Sequence, residues 1–431
     1  MRVLVLGAYG LIGHEIARSL IAGGHTVTGL ARSAETGRAL LPQAGWIGAD
    51  LADMTTPKAW SPALKDVDAV VNAAGALQTG GRDNVRAVQQ DAMGALYAAC
   101  SEAGIRSFVQ ISAPGVTPDA DTEFMRTKAV ADGALQETDL DWVILRPGVV
   151  ISHTAYGGTA LLRMLAAFPL VQPMVMAGAR LQTVHVGDVA AAVLSCLEDR
   201  SLARQTFDLV EPETHSLRDV LLAFRTWLGF GKPARVVELP AFFGRLVATG
   251  ADLLGLAGWR SPLRSTALTV LADDVVGDPE PWQKASGHRL KTLSQTLDAL
   301  PSSAQERLFA RMHLLFPLLV CLMSVFWILS GAIGLVSEAA AVALIADEVG
   351  PSLARILLYG GSALDIAIGL GLVWRRTFRA AALASIALSL VYLVSGSLLT
   401  PGIWLDPLGP FVKILPVIGA GLCLLVVSGE R

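Results

Sequence analysis

The chain has 431 residues, 53% hydrophobic and 16% charged, with a net charge of −3. Soluble proteins average about 25% charged residues, so the apolar excess points to a membrane portion and excludes a disordered or low-complexity chain. The near-neutral balance argues against a nucleic-acid partner, and four cysteines far apart, with no CxxC or metal-like cluster, read as reduced thiols buried in apolar helices.

The length accommodates two or three domains. Residues 2–7 are a short β-branched and leucine run that predicts a buried strand. The turn Gly7, Tyr9, Gly10, Leu11, Ile12 and Gly13 follows, and an amphipathic helix extends to about residue 22. Such glycines let the backbone turn tightly and approach a pyrophosphate, which the helix N-terminus stabilises through its free N–H groups and dipole. The opening run mimics the start of a signal peptide, but His14 and Glu15 interrupt it and none is expected. A second strand, residues 25–30, ends in Ala31, Arg32 and Ser33, where a carboxylate would bond the 2′-hydroxyl of NAD. A guanidinium beside a hydroxyl suits a 2′-phosphate, so NADP is the preferred cofactor and NAD the other; a merely solvated surface arginine is the alternative reading.

Further strands end on polar or glycine-containing groups. Residues 46–49 lead to Asp50 and Leu51, and residues 69–71 to Asn72, Ala73, Ala74 and Gly75. Residues 108–111 lead to Ser112, and residues 142–145 to Arg146, Pro147 and Gly148, with a helix expected over 84–103. A parallel sheet holds ligands at the carboxyl ends of its strands, where these groups fall. The expected fold is α/β, a Rossmann-type doubly wound parallel sheet in a domain of residues 1–307, with a small substrate lobe at about 151–300. Proline at 169, 173, 212 and 233 interrupts that lobe, a helix covers 217–228, and the apolar stretch 240–256 either packs in the lobe or lies on a membrane surface. His185 reads as a structural residue at a strand start, and His14 as a helix-surface histidine.

The last 124 residues carry only 7 basic and 6 acidic side chains. Four segments there are long enough to span a bilayer, which takes about 20 helical residues: 314–336, 356–374, 380–399 and 408–428. The apolar piece 339–346 is too short to cross. A four-helix transmembrane bundle over residues 308–431 follows, with the lipid bilayer as its partner. Arg375, Arg376 and Arg379 cluster between the second and third spans, and the opposite connections lack Lys and Arg. The positive-inside rule then makes this a multi-pass protein of the inner (cytoplasmic) membrane, with the dinucleotide domain and both termini in the cytoplasm. Asp365 lies inside the second span and Lys413 near the start of the fourth. An intramembrane ion pair, a proton or ligand site at Asp365, and no pairing are all open. Ala363, Ala367 and Gly371 form a small-residue stripe suited to close helix contact.

With these residues in view, the first 300 or so resemble an atypical or extended short-chain dehydrogenase/reductase, closest to the NmrA-like proteins and the NAD(P)H-binding accessory subunit of mitochondrial complex I. The likeness rests on Gly7, Gly10 and Gly13, Asp50 and Leu51, residues 72–75, Ser112, Lys128, residues 146–148 and residues 184–190. It implies that Asp50 contacts the adenine, that Ala73, Ala74 and Gly75 line the cofactor, and that Lys128 bonds the nicotinamide ribose. The last 120 residues resemble the DoxX-like membrane proteins, through Asp365, Gly369 and residues 403–413.

One departure matters more than the matches. Active dehydrogenases of this type carry Tyr four residues before the Lys, and here Phe124 stands there. A phenyl ring transfers no proton, so the Ser-Tyr-Lys mechanism loses its central member, although Ser112 and Lys128 still hold cofactor and polarise a bound group. Ser152, His153 and Tyr156 border the expected nicotinamide position; Tyr156 or His153 supplies a substitute acid, or both simply line a loop or the substrate pocket. Two functions follow. One is a membrane-anchored oxidoreductase acting on a lipophilic substrate such as a quinone or carbonyl compound. The other is a non-catalytic NADP(H) sensor or an assembly scaffold of a membrane protein complex.

Overall fold

The computed structural model describes residues 1–75, 84–231, 233, 235–259 and 265–428. The chain divides into two compact units, Met1–Asp252 with Ser261–Ala310, and Leu253–Arg260 with Arg311–Arg431.

The first unit is built on parallel strands. In chain order these are β1 (Arg2–Leu6), β2 (Thr26–Ala31), β3 (Gly45–Gly48), β4 (Ala69–Asn72), β5 (Ser107–Ile111) and β6 (Asp141–Pro147), joined by a late strand, Gln205–Leu209. Across the sheet the order is Gln205–Leu209, β6, β5, β4, β1, β2, β3, all parallel, reversing at β1 and β4. Helices cover both faces: α1 (Leu11–Ala22), α2 (Ala34–Leu40), α3 (Pro57–Trp60), α4 (Ala92–Glu102) and α5 (Glu123–Gln136).

Alternation along β1 explains why its sequence is apolar from Val3 to Leu6. Val3 and Val5 enter one core with Ile16 and Leu20 of α1, whereas Leu4 and Leu6 enter the opposite core with Trp60, Leu96 and Phe108. The helix expected over 84–103 begins with a wider π turn at Ala87–Asp91 before α4. Turns of that kind gather at functional positions, and here the turn carries Gln89.

Beyond β6 come α6 (Gly157–Ala166), α7 (Val186–Glu198), α8 (Leu217–Trp227) and α9 (Ala241–Leu256). Of these, α7 and the strand Gln205–Leu209 return to the main sheet, α7 packing with Ile16 and Leu20 of α1, so the lobe expected over about 151–300 is interrupted there. Strand pairs knit it together: Thr183 to His185 beside Val149 to Ile151, His215 and Ser216 beside Arg180 and Leu181, and Arg235 to Glu238 beside Val171 to Met174. His185 has a structural role, but at the end of the strand Thr183–His185 and not at a strand start: it caps α7 by accepting the Gly187 N–H at 3.0 Å. Arg163 is wholly buried, yet it is satisfied by Glu306, the Ser152 carbonyl and the face of Trp227.

In the second unit, four helices are long and apolar enough to cross a membrane: Ala304–Val336, Pro351–Val373, Phe378–Leu399 and Pro410–Ser428. The first begins in the other unit. The short apolar piece after it forms the helices Glu338–Ala343 and Ala346–Val349. Met323, Trp327, Leu372, Phe378 and Leu424 share the bundle's core. The expected small-residue stripe is rotated: Ala363 and Ala367 face outward, and the buried stripe is Ser362, Asp365, Gly369 and Leu372. A methyl on Gly369 would meet the Ser324 carbonyl at 2.8 Å, so it is Gly369 that lets the first and second spans come together.

Cys100 and Cys196 lie in the two sheet-facing cores, where burial pushes both thiols up to about 12. Both should resist N-ethylmaleimide in the native protein and react after unfolding in urea, read by peptide mass spectrometry. Labelling of either before unfolding would show that the core opens.

Candidate functional site: a dinucleotide cleft at the sheet's carboxyl edge

The glycine turn is shaped by contact. Gly7 has φ +69°, a left-handed conformation that glycine adopts without steric penalty, and its N–H donates to the Leu30 carbonyl of β2 at 3.0 Å. A side chain on Gly7 would strike the backbone of Ala73 and Ala74 at 2.9 to 3.0 Å. A methyl on Gly13 would overlap the Gly7 carbonyl oxygen. Gly10 donates to that same carbonyl at 2.8 Å and opens α1 without a side-chain cap or an acidic residue in the first turn. Leu11, Ile12 and Gly13 therefore present first-turn N–H groups that the helix itself does not satisfy. That uncapped N-terminus, over a cradle any Cβ would fill, fits a dinucleotide pyrophosphate. Tyr9 stacks on Trp46, with ring centroids 6.2 Å apart, and Trp46 lies flat against Gly29 and Gly37.

The neighbouring strand ends bring the other expected residues to this edge. Arg32 is exposed at the end of β2. Ser33 caps α2, its oxygen accepting from Thr36 N–H at 3.1 Å and from the Thr36 hydroxyl at 2.9 Å, so the Ser33 proton itself remains to be donated. Asp50 follows β3, with one oxygen accepting the Ala52 N–H at 3.1 Å, and Leu51 is buried beside it. Buried Asn72 accepts from the Ala74 N–H at 3.0 Å and donates to Gln110 at 2.9 Å, which fixes Ala73, Ala74 and Gly75 after β4. Pro147 is buried where β6 ends, paired in register with Leu209.

Lys128 and Ser112 are held more tightly than expected. The Lys128 ammonium donates to the Ile111 carbonyl at 2.9 Å and sits 3.9 Å from where a Gly75 Cβ would be. It also lies 5.6 Å from the centre of the Phe124 ring. Ser112 donates to Asp132 at 2.6 Å, and the two functional groups are only 5% and 6% exposed, Ser112 and Lys128 respectively. Burial pulls the Lys128 ammonium below the ordinary lysine value, opposed by the charge of Asp132. Burial also pushes the Asp132 carboxyl up, against the Ser112 hydrogen bond and the positive Lys128 and Arg146. Asp132 was not anticipated, although its place one turn after Lys128 puts it on the same helix face. Gln89 was also missed; its side chain borders Gly75 and accepts from Thr127 at 2.9 Å.

Tyr156 stands apart from this group. It is exposed at the start of α6, and no contact among the described residues joins it to Ser112 or Lys128. His153 is likewise exposed. In the membrane unit the suggested Asp365–Lys413 bond does not form among the described residues. Asp365 instead accepts from Ser330 at 2.7 Å and from Tyr392 at 2.9 Å, while Lys413 is exposed. Hydroxyls from two neighbouring spans reach both carboxylate oxygens, whereas Lys413 starts the fourth span at another depth.

An open parallel sheet whose strand order reverses beside a glycine turn has the form of a dinucleotide-binding domain. Comparison with known proteins agrees: the chain carries an NAD(P)H-binding domain, matched over residues 7–200, followed by a DoxX-like domain, matched over residues 324–422. With its four apolar helices, the DoxX-like part marks a membrane protein. The photosystem II assembly factor Ycf39 of a Synechocystis strain is 28% identical over 56% of this chain and 71% of its own length. An NAD(P)H azoreductase of Xenophilus azovorans is 23% identical over 58% of this chain and 82% of its own. The crystal structure of Bordetella bronchiseptica WbmG in complex with NAD superposes with a TM-score of 0.54 at 18% identity, covering 73% of this chain and 96% of that one, a likeness of fold.

The Gly13 contact makes a direct test. Gly13→Ala cannot be accommodated without moving Gly7, and NADPH affinity in a fluorescence titration should fall by at least about tenfold, about 1.4 kcal/mol. Unchanged affinity in a folded variant would remove the turn from the binding site.

Proposed function

We propose that this protein is a membrane-anchored NAD(P)H-dependent oxidoreductase that reduces a lipophilic acceptor, a quinone or a hydrophobic carbonyl compound, at the cytoplasmic face of the inner membrane. The observation that carries the reading is the pairing of an intact cofactor lysine with a missing proton donor: Lys128 lies beside Gly75, and Phe124 occupies the tyrosine position. When bound, the nicotinamide supplies the hydride. The first turn of α1 holds the diphosphate, Arg32 and Ser33 favour the 2′-phosphate of NADP(H), Asp50 and Leu51 border the adenine, and Ala73, Ala74, Gly75 and Pro147 line the remainder. Lys128 positions the nicotinamide ribose, and Ser112 keeps its hydroxyl oriented through Asp132. Phe124 contributes bulk and no proton. An acceptor that becomes an anion stable enough to take its proton from water suits such a site, and a quinone does so better than an isolated ketone. The relative named as an NAD(P)H azoreductase supports a reductase of this breadth.

A second reading has its own observation. Ser112 and Lys128 are both buried and bonded within the protein, to Asp132 and to the Ile111 carbonyl. A site with both polar groups so occupied suits cofactor binding without turnover, as in a sensor or an assembly factor of a membrane complex, and the Ycf39 relative is named as such a factor.

Purified full-length protein with NADPH and a short-chain quinone separates the two. Under the first reading NADPH is oxidised, and Lys128→Ala slows it by at least about tenfold, about 1.4 kcal/mol of transition-state stabilisation. Saturable NADPH binding with no oxidation across quinones and carbonyls rejects the enzyme and leaves the binding protein. Arg32 is tested apart from turnover. Arg32→Ala should weaken NADPH binding by about 1.5–3 kcal/mol, the range for a hydrogen bond to a charged group, and leave NADH unchanged. Equal losses for both cofactors would remove Arg32 from the 2′-phosphate.

A further inference from the structure

The helix α9 is built inside out. Its buried positions are all small, Gly244, Ala248, Ala251 and Gly255 at helical spacing, and its large apolar side chains point away from the protein. Phe242 is 63% exposed, Leu246 59%, Leu253 62% and Leu256 77%, with Phe243 and Val247 exposed alongside them. A helix on a water-facing surface shows the reverse arrangement. Sixteen residues make the strip about 24 Å long at 1.5 Å per residue, too extended to be an incidental apolar spot.

What lies against this face is indicated by the chain that follows it. The segment Leu253–Arg260 belongs to the membrane unit. There the Ala257 carbonyl accepts from the Arg375 backbone N–H at 3.0 Å, and the Trp259 indole donates to the Val373 carbonyl at 2.6 Å. The Arg375 guanidinium sits 5.1 Å from the Trp259 ring centre. Val373 is the last residue of its span, so this cluster marks the level where hydrocarbon gives way to headgroups, and a Trp–Arg pair suits that level. The last turn of α9, with Leu253, Leu254 and Leu256 exposed, thus belongs to the same unit as the four apolar helices. The one exposed charge of α9, Arg245, has a stem long enough to reach headgroups.

We infer that α9 is an interfacial membrane helix, its Phe242, Leu246, Leu253 and Leu256 face buried in the leaflet at the Val373–Arg375 end of the bundle. It adds a membrane contact to the four spans and keeps that part of the lobe on the lipid surface.

The experiment uses the full-length chain with Cys321→Ser and Cys423→Ser, a nitroxide on a single cysteine, and nanodiscs of phosphatidylcholine and phosphatidylglycerol. Labels at Leu246→Cys and Leu256→Cys should be relaxed by oxygen more than by a water-soluble nickel chelate, matching a label at Leu364→Cys, which is 55% exposed on the second span. The oxygen-to-nickel ratio there should exceed severalfold that at Arg38→Cys, on the exposed side of α2. An aqueous ratio at Leu246 and Leu256, with Leu364 still lipid-like, overturns the inference. So does spin–spin broadening between labels on different molecules, which would make a second copy the occupant. An aqueous reading at Leu364 itself would instead overturn the membrane assignment of the bundle. None of these readouts depends on NADPH turnover, so they stand or fall separately from the proposed enzyme.

Discussion

The contact between Gly13 and the carbonyl of Gly7 governs the dinucleotide domain. It lets α1 start directly against the end of β1, and only a residue without a Cβ fits at Gly13. Because Gly7 is itself pressed against Ala73 and Ala74, the ends of β1 and β4 converge there, at the point where the strand order reverses. A crevice opens at such a reversal because the connections leave in opposite directions, and the uncapped N-terminus of α1 faces it with free N–H groups. The chemistry placed at the edge by β5 and β6 is arranged around that fixed point.

Much of this was legible in the residues because a parallel sheet writes itself plainly. Strands buried on both faces are mostly apolar runs, so β1, β4 and β5 stand out even with Gln110 inside β5, and each leads to a residue of another kind, Gly7, Asn72 or Ser112. That Phe124 stands where the resembled dehydrogenases carry tyrosine was likewise visible in the sequence, once the resemblance supplied the pattern. What was not legible is lateral. Trp46 needs Gly29 from β2 and Gly37 from α2, and only the β2–β3 register brings these together. Asp132 on α5 lay within reach of a periodicity argument but not its partner, since Ser112 comes from the end of β5, 20 residues earlier. In the membrane, apolar length revealed the spans, while the azimuth of each helix stayed hidden. Charge matching therefore favoured Lys413 for Asp365, and the fold used the hydroxyls of Ser330 and Tyr392.

The buried group beneath the cleft shows how the fold makes polar chemistry tolerable. Lys128 and Asp132 bring opposite charges into the interior with the half-buried Arg146 beside them, and unpaired each of the two buried charges would cost several kcal/mol. Their mutual attraction and the bonds to Ser112 and Ile111 offset that cost, at the price of immobility. Two atoms of the group, the second oxygen of Asp132 and Arg146 Nε, are buried without a hydrogen-bond partner among the described residues. Buried polar atoms left open in this way are uncommon and tend to persist where a site uses them. The cluster thus combines rigid placement of Lys128 beside Gly75 with residual hydrogen-bonding capacity behind Ser112.

On the proposed reading, Phe124 and the membrane unit are connected through the chemistry of the acceptor. A reductase that supplies no proton is confined to acceptors whose reduced form draws one from water. Among lipophilic molecules, conjugated systems such as quinones meet that condition, because they delocalise the charge that a hydride delivers. Such molecules partition into bilayers, and a soluble domain would meet them only at the low concentration left in water. Under that same proposal, covalent attachment to a bundle of four apolar helices holds the cofactor domain near the lipid phase and raises the effective concentration of the acceptor. On the proposed reading, the missing tyrosine and the added bundle are therefore parts of one solution: the first narrows the acceptors to those that protonate themselves, and the second brings the domain to where they dissolve.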